Sequence, residues 1–223
     1  MSVGTNQSLA NALDSSATFL NLSCLDFLMI ELVPMMYRVV NDVDSTAPEE
    51  RAAKQESKNV NTDEKVSYGK SGSTTGTINV QMKQMEEDDE KDAVFFRLEA
   101  LGYRVGQGLV ERFSRERQRF IDTLDVIKFI CKDLWQLLFK KQLDNLKTNH
   151  RGVYVLTDHS FRPFARMSTE AGGQAVIRAQ PYLWFPCGII RGALANMGID
   201  ATVQAETSEL PGAIFQIKSN TKF

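Results

Sequence analysis

The stretch that decides the fold is GYRVGQGLVERF, residues 102–113, in which three glycines fall within seven positions. A dinucleotide-binding loop requires G-x-G-x-x-G between a strand and a helix, and a P-loop requires a lysine and a serine or threonine after its last glycine. Gly102, Gly106 and Gly108 have the spacing G-x-x-x-G-x-G, and no such pair follows them. The apolar residues from Ala93 onward recur at helical spacing. The stretch therefore predicts a helix that carries glycines, not a phosphate-binding loop.

A second pair of glycines, in CGIIRGAL, has the same four-residue spacing on another predicted helix. A glycine inside a helix costs about 1 kcal/mol relative to alanine. Small residues at i and i+4 allow another backbone to approach closely. We therefore predict close helix packing at five glycines: Gly102, Gly106, Gly108, Gly188 and Gly192.

Hydrophobic periodicity predicts an α+β fold. Helices are expected over 18–43, 93–113, 118–142 and 181–198, the last with Gly198 as its C-cap. The change to alternating residues predicts two hairpins, one with its turn at NHRG (149–152) and one formed by IDATVQAE (199–206) and AIFQIK (213–218). We expect these strands to form a four-stranded antiparallel sheet with the helices packed on one side.

Residues 44–92 differ from the rest of the chain in composition. They contain one aromatic residue, Tyr68, and few aliphatic ones. Such a segment buries too little apolar surface to offset the entropy of ordering, so we predict a disordered acidic insertion. Its acidic end, EEDDEKD, is typical of a solvated charge run; the alternative is a docking strip for a basic partner. The predicted organisation is a single interrupted domain over 17–218 between tails at 1–16 and 219–223.

Composition excludes several classes of function. The chain is 43% hydrophobic and 24% charged, which is typical of a soluble globular protein. A net charge of −2 argues against a nucleic-acid partner. The longest apolar stretch, 19–40, contains Asp26, Glu31 and Arg38 and is not expected to span a membrane. The N-terminus shows no signal-peptide pattern.

Cysteine and histidine spacing predicts neither a metal site nor a disulfide framework. Cys24, Cys131 and Cys187 lie in apolar runs, which indicates reduced, buried thiols in a cytosolic protein. His150 and His159, the only histidines, lie in loops without zinc-ligand spacing. We expect no catalytic residues, no metal and no cofactor.

Two surfaces are candidates for interactions. The first predicted helix carries adjoining apolar strips that one domain face covers only in part, which predicts a partner interface. The interface residues are Leu25, Phe27, Leu28, Met29, Leu32, Val33, Met36 and Val39. The second surface is a cluster of arginines between two helices, either a solvated loop or a docking patch for an acidic partner or a phospholipid surface. Its members are Arg112, Arg115, Arg117 and Arg119.

Three stretches resemble the small subunits of the TRAPP complex: LEALGYRVGQGLVERF, TLDVIKFICKDLWQLLFKKQLDNLKTNHRGVYVLTD and CGIIRGALANMGIDATVQAE. Within that superfamily, named Bet-three, the phrases KFICKDLW and LKTNHRGVYVL are similar to the subunit-six branch. The resemblance covers 27–40 and nearly all of 98–218, but not the tail or residues 44–92.

The resemblance implies a non-enzymatic scaffold in a complex that tethers vesicles and exchanges nucleotide on Rab GTPases in ER-to-Golgi and Golgi traffic. It implies heterodimerisation through the first helix with another small subunit, especially the acylated founding member. The Rab GTPase, the large subunits and the membrane would be reached through the complex only, with a cytoplasmic location peripheral to Golgi and ER–Golgi membranes.

One departure concerns the acylated cysteine of the founding member, because Arg117 stands at the equivalent position. The resemblance therefore implies that no acyl chain is attached there. A different class of function is also open at this point. The fold class resembles bacterial ligand-binding domains, so the alternative is a stand-alone small-molecule sensor.

Overall fold

The computed structural model describes residues 21–45, 74–115, 117–149, 152–167 and 174–220. The predicted tail at 1–16, residues 46–73 of the predicted insertion, and His150 lie outside the described residues. Within these ranges the helices are α1 (Leu22–Ser45), α2 (Thr74–Ser114), α3 (Thr123–Phe129), α4 (Trp135–Phe139), α5 (Gln174–Ala179) and α6 (Trp184–Asn196). A π-helical turn, Ile130–Leu134, joins α3 to α4, and 3₁₀ turns lie at Arg162–Phe164 and Gln180–Leu183.

The strands are β1 (Asn145–Thr148), β2 (Val153–Asp158), β3 (Ala201–Glu206) and β4 (Ala213–Ser219). They form one antiparallel sheet in the order β1-β2-β4-β3. In β2 buried side chains alternate with half-buried ones, as a strand with one covered face requires. Leu156 of β2 lies opposite Phe215 of β4, and both are fully buried. The predicted α+β fold with a four-stranded antiparallel sheet is confirmed.

The core lies between the inner face of the sheet and the helices. The ring of Trp135 contacts that of Phe215 edge-on, with centroids 5.2 Å apart. Its indole nitrogen donates to the fully buried carboxylate of Asp158 at 2.8 Å, and the ammonium of Lys141 donates to the same carboxylate at 2.6 Å. A buried charge is tolerated when it is paired and hydrogen-bonded. These bonds connect the end of β2 to α4 and to the segment that follows α4.

The predicted helix over 118–142 is shorter and less regular than expected. Its first residue is Thr123, because the carboxylate of Asp122 caps the helix by accepting from the backbone N–H of Asp125 at 2.7 Å. It ends at Lys140, whose φ of 61° is left-handed. The last predicted helix ends one residue earlier than expected: its C-cap is Met197, not Gly198. Gly198 follows the cap with a left-handed φ of 78°, and its N–H donates to the carbonyl of Ala195 at 3.0 Å.

The prediction of disorder is wrong for residues 74–92, which form the first half of α2. The second half of this helix is packed, with Val94 and Leu98 fully buried. A helix that is already nucleated grows by one hydrogen bond per residue, and Glu, Lys, Gln and Met favour that growth. A packed segment can therefore extend a helix into residues whose composition favours disorder. Composition alone does not reveal this.

Four of the five glycines lie where α2 meets α6. A Cβ added at Gly102 would overlap the carbonyl oxygen of Phe185, and one added at Gly106 would overlap that of Ile189. From the other side, a Cβ at Gly188 or Gly192 would overlap the carbonyl oxygen of Glu99 or Tyr103, respectively. The two backbones are therefore in direct contact. The prediction is wrong for Gly108, which is exposed and has no atom within 4 Å of an added Cβ.

Candidate interaction surface of the first helix

The C-terminal half of α1 packs on α2. Val33 and Val40 are buried together with Val94 and Leu98 in a cluster separate from the main core. Leu32 is also buried in this cluster, with 5% of its surface exposed. Leu32 and Val33 were predicted to contact a partner, but their side chains are already covered within the chain. The prediction is wrong for these two residues, because helical periodicity does not tell which apolar strip the chain itself covers.

The N-terminal half of α1 is attached through an ion pair. Nε and Nη2 of Arg162 each donate to a separate oxygen of the Asp26 carboxylate, both at 2.9 Å. Arg166 lies 4.0 Å from the same carboxylate. The hydrogen bond from Arg162 lowers the pKa of Asp26 below its ordinary value. A two-pronged guanidinium–carboxylate pair fixes orientation as well as distance, so it positions this end of α1 over the 3₁₀ turn.

The outer face of α1 exposes large apolar side chains. Phe27 is 63% exposed, Leu28 57% and Ile30 40%. The remaining predicted interface residues are half-buried: Leu25, Met29, Met36 and Val39. Scattered single apolar residues are ordinary on a protein surface, whereas a contiguous patch marks an interaction site. Ile30 belongs to this patch although the sequence analysis omitted it; its place in the apolar run was the available signal.

An apolar groove of about 570 Å³ runs beneath the exposed turn of α1. Leu25, Leu28 and Met29 form one of its walls. The other walls come from α2, α4, α6 and the 3₁₀ turn: Leu101, Val105, Leu138, Phe139, Pro163, Ala165, Phe185 and Ile189. Asp26, Arg162 and Arg166 also line the groove and supply its charged groups. A groove with mostly apolar walls can receive an apolar side chain from another protein.

A further apolar feature escaped the sequence analysis. Phe95 and Phe96 of α2 are both exposed, Phe96 at 70%. The ring of Phe95 contacts Trp184 edge-on at 5.6 Å, whereas Phe96 points away from the core. Neighbouring residues on a helix lie about 100° apart, so one phenylalanine of such a pair can contact the core while the other is exposed. The two consecutive phenylalanines were the available signal in the sequence.

The three thiols differ in exposure and in acidity. Burial raises the pKa of both the Cys131 and the Cys187 thiol to about 12. Cys24 is exposed, which corrects the expectation that all three thiols are buried. Within the described ranges no group of three or more histidine, cysteine or acidic residues could hold a metal ion.

Two further observations concern lipid and membrane. Arg117, where the resemblance implies an acylated cysteine in the founding member, lies with its guanidinium 5.0 Å from the ring centre of Phe129 and pairs with Asp133 at 2.7 Å. An arginine offers no thiol for acylation. None of the helices in the described part of the chain is long and apolar enough to cross a bilayer.

Sequence comparison matches the chain to one family model and to individual proteins. The family model described as transport protein particle (TRAPP) component matches residues 25–221. Human trafficking protein particle complex subunit 6B is 54% identical over 121 residues, which cover 54% of this chain and 75% of that protein. An uncharacterized protein of Schizosaccharomyces pombe is 35% identical over 198 residues, which cover 89% of this chain and 63% of that protein.

A solved structure agrees at the level of the fold. Subunit 3 of the trafficking protein particle complex from Naegleria fowleri, crystallised covalently bound to palmitic acid, matches with a TM-score of 0.50 and 18% identity. The match covers 66% of this chain and 93% of that one. Because the family model spans nearly all the described residues, the chain belongs to the transport protein particle (TRAPP) component family.

Proposed function

We propose that this chain is a non-catalytic scaffold subunit of a TRAPP complex and that it pairs with another small subunit through the outer face of α1. The observation that carries the proposal is the patch of Phe27, Leu28 and Ile30 above the apolar groove. Family membership favours this function over a stand-alone small-molecule sensor.

The charged side chains of α1 lie beside the patch and not within it. Interfaces of permanent complexes are apolar at the centre and place their charges at the rim. On α1 the exposed ion pair between Glu31 and Arg38 flanks the patch, and Asp26 is bound to Arg162 at the other end. Phe27 and Leu28 can therefore be covered by a partner without leaving an unpaired charge in the interface.

The finer assignments follow from the family and belong to the same proposal. The partner is the acylated founding member of the superfamily, whose first helix would lie against α1. The assembled complex tethers vesicles and exchanges nucleotide on a Rab GTPase in ER-to-Golgi and Golgi traffic. The chain is then cytoplasmic and peripheral to those membranes.

Affinity purification of the tagged full-length chain from its own cells tests the proposal. Wild-type protein should retain other TRAPP subunits, and Leu28→Glu should lose them, because a buried unpaired carboxylate costs several kcal/mol, roughly a hundredfold or more in affinity. Ile177→Glu is the matched control, since Ile177 on α5 is 68% exposed and does not line the groove. Retention of all subunits by Leu28→Glu, or equal losses in both variants, would place the interface elsewhere.

A further inference from the structure

β3 is an edge strand of the sheet, and half of its backbone groups point out of the sheet. The N–H of Asn220 donates to the carbonyl of Asp200 at 2.9 Å, so these two opposite residues form a hydrogen-bonded pair just beyond the ends of the strands. Hydrogen-bonded and non-hydrogen-bonded pairs alternate along an antiparallel ladder. The N–H and C=O groups of Ala201, Val203 and Ala205 therefore point away from β4. Within the described part of the chain these groups have no hydrogen-bond partner.

The two edges of the sheet differ in how they are protected against further pairing. Natural sheets protect their edges with short strands, lysines, prolines and bulges. The β1 edge is four residues long and carries Lys147. β3 is six residues long, contains neither lysine nor proline, and pairs with β4 in an uninterrupted register. The β3 edge can therefore accept a further strand.

The two faces of β3 determine which side chains an added strand needs. On the inner face Val203 and Ala205 are only half-buried, although Ile217 and Phe215, opposite them on β4, are fully buried. The core is therefore incompletely covered at this edge, and apolar side chains of an added strand would extend the cover. The side chains on the outer face of β3 are polar and exposed: Thr202, Gln204 and Glu206.

The β3 edge is acidic. Residues 199–209, IDATVQAETSE, contain three carboxylates and neither lysine nor arginine. A second copy of this chain fits the edge poorly. In the antiparallel register that pairs all three outward-pointing residues of two copies, Glu206 lies opposite Asp200 of the second copy, and like charges directly opposite each other are destabilising. Basic side chains complement this edge.

We propose that β3 accepts an extended segment of a different protein as a fifth strand, and that this segment alternates apolar with basic side chains. Its backbone pairs with the outward groups of Ala201, Val203 and Ala205. Its apolar side chains cover the inner face of the edge, and its basic side chains lie on the outer face beside Glu206. In strand addition the main-chain hydrogen bonds supply affinity and the alternate side chains supply specificity. This surface is separate from the α1 patch, so the proposal goes beyond the scaffold function.

Peptide binding and hydrogen exchange, both with the full-length chain, test the proposal. The probe is a peptide of about seven residues in which lysine alternates with valine, acetylated and amidated at its ends. The lysine peptide should bind and should slow amide exchange at Val203 and Ala205 about tenfold or more in residue-resolved NMR. Exchange at Thr202 and Gln204, whose N–H groups already bond to β4, should change by less than about twofold. The same peptide with glutamate in place of lysine should bind about fivefold more weakly or less.

Two substitutions separate backbone pairing from charge. Ala205→Pro removes one outward N–H and no bond to β4, and edge strands tolerate proline at such positions. It should weaken peptide binding about fivefold, the net worth of one hydrogen bond, whereas Ala205→Ser keeps the N–H and should bind within about twofold of wild type. Glu206→Lys should weaken binding about fivefold. Its matched control is Glu111→Lys, at an exposed position of α2, which should bind within about twofold of wild type.

Circular dichroism checks that Ala205→Pro is folded; if it is not, Glu206→Lys and the exchange data decide. The proposal is overturned if the lysine peptide does not bind, if its binding leaves exchange at Val203 and Ala205 unchanged, or if the glutamate peptide binds equally well. Dimerisation of the wild-type chain without peptide, abolished by Ala205→Pro in sedimentation, would overturn it in favour of a second copy. None of these substitutions lies on α1, so the outcome is independent of the scaffold proposal.

Discussion

At the scale of single residues, the contact between α2 and α6 depends on glycines, whose lack of a side chain lets the two backbones touch. Gly102 and Gly106 face carbonyl oxygens of α6, and Gly188 and Gly192 face carbonyl oxygens of α2. Beside them Arg191 reaches across to Glu99 with a 2.6 Å hydrogen bond from Nη2 and lies 4.6 Å from the ring centre of Tyr103. The ion pair and the glycines together set how α6 lies on α2, and hence the rear wall of the groove below α1.

Gly192→Ala and Gly108→Ala should have opposite effects on stability. The new methyl group at position 192 would overlap the Tyr103 carbonyl, which is backbone and cannot rotate away. We expect a loss of about 1–3 kcal/mol or more in the free energy of unfolding. At position 108 there is open space, so Gly108→Ala should gain about 0.5–1 kcal/mol from helix propensity. Chemical denaturation measures both; equal effects of the two substitutions would refute the close approach.

At the scale of elements, α1 is held by two different kinds of contact. Its C-terminal half is packed through Val33 and Val40, whereas its N-terminal half spans a groove and is attached by the bond between Asp26 and Arg162. The element therefore combines an end packed on α2 with an end held by one ion pair and by Met29, which packs against the main core. That second end carries the exposed patch.

Asp26→Asn should loosen this end of α1 in a pH-dependent way. Both partners are more than two thirds buried, so we expect a cost of about 1 kcal/mol. The folded-state pKa of Asp26 lies below its ordinary value of 3.8, so its contribution is present above that value and is lost as pH falls through the folded-state pKa. The stability difference between wild type and Asp26→Asn should be constant above pH ~5 and shrink below pH ~4. Urea denaturation across this pH range measures the difference. The control is Arg38→Gln, which removes one partner of an exposed ion pair and should change the free energy of unfolding by less than about 0.5 kcal/mol.

Some of these elements can be predicted from the sequence and others cannot, for physical reasons. The strict alternation in β2 fits a strand with one covered face. The four-residue spacing of Gly188 and Gly192 places both glycines on the same face of a helix. Gly108 was misassigned because a residue two positions after Gly106 lies on the opposite side of the helix. Helix formation over 74–92 could not be predicted because its cause is packing farther along the chain. The division of α1 into a covered strip and an exposed patch likewise depends on tertiary contacts that periodicity does not contain.

At the scale of the whole molecule, the sheet and the α2–α6 contact form the body, and the patch of Phe27, Leu28 and Ile30 lies on α1. The arginine cluster of Arg112, Arg115, Arg117 and Arg119 lies at the end of α2 and in the connection to α3. Different elements therefore carry the two candidate surfaces.

Site-specific photo-crosslinking tests the central claim most directly. A photoreactive amino acid is placed at Leu28, in the exposed patch, or at Gln216, which is exposed on the sheet, and the tagged chain is irradiated in its own cells. The account predicts a crosslink from position 28 to another TRAPP small subunit and none to that subunit from position 216. A crosslink to that subunit from position 216 alone, or from position 28 only to a second copy of this chain, would contradict it.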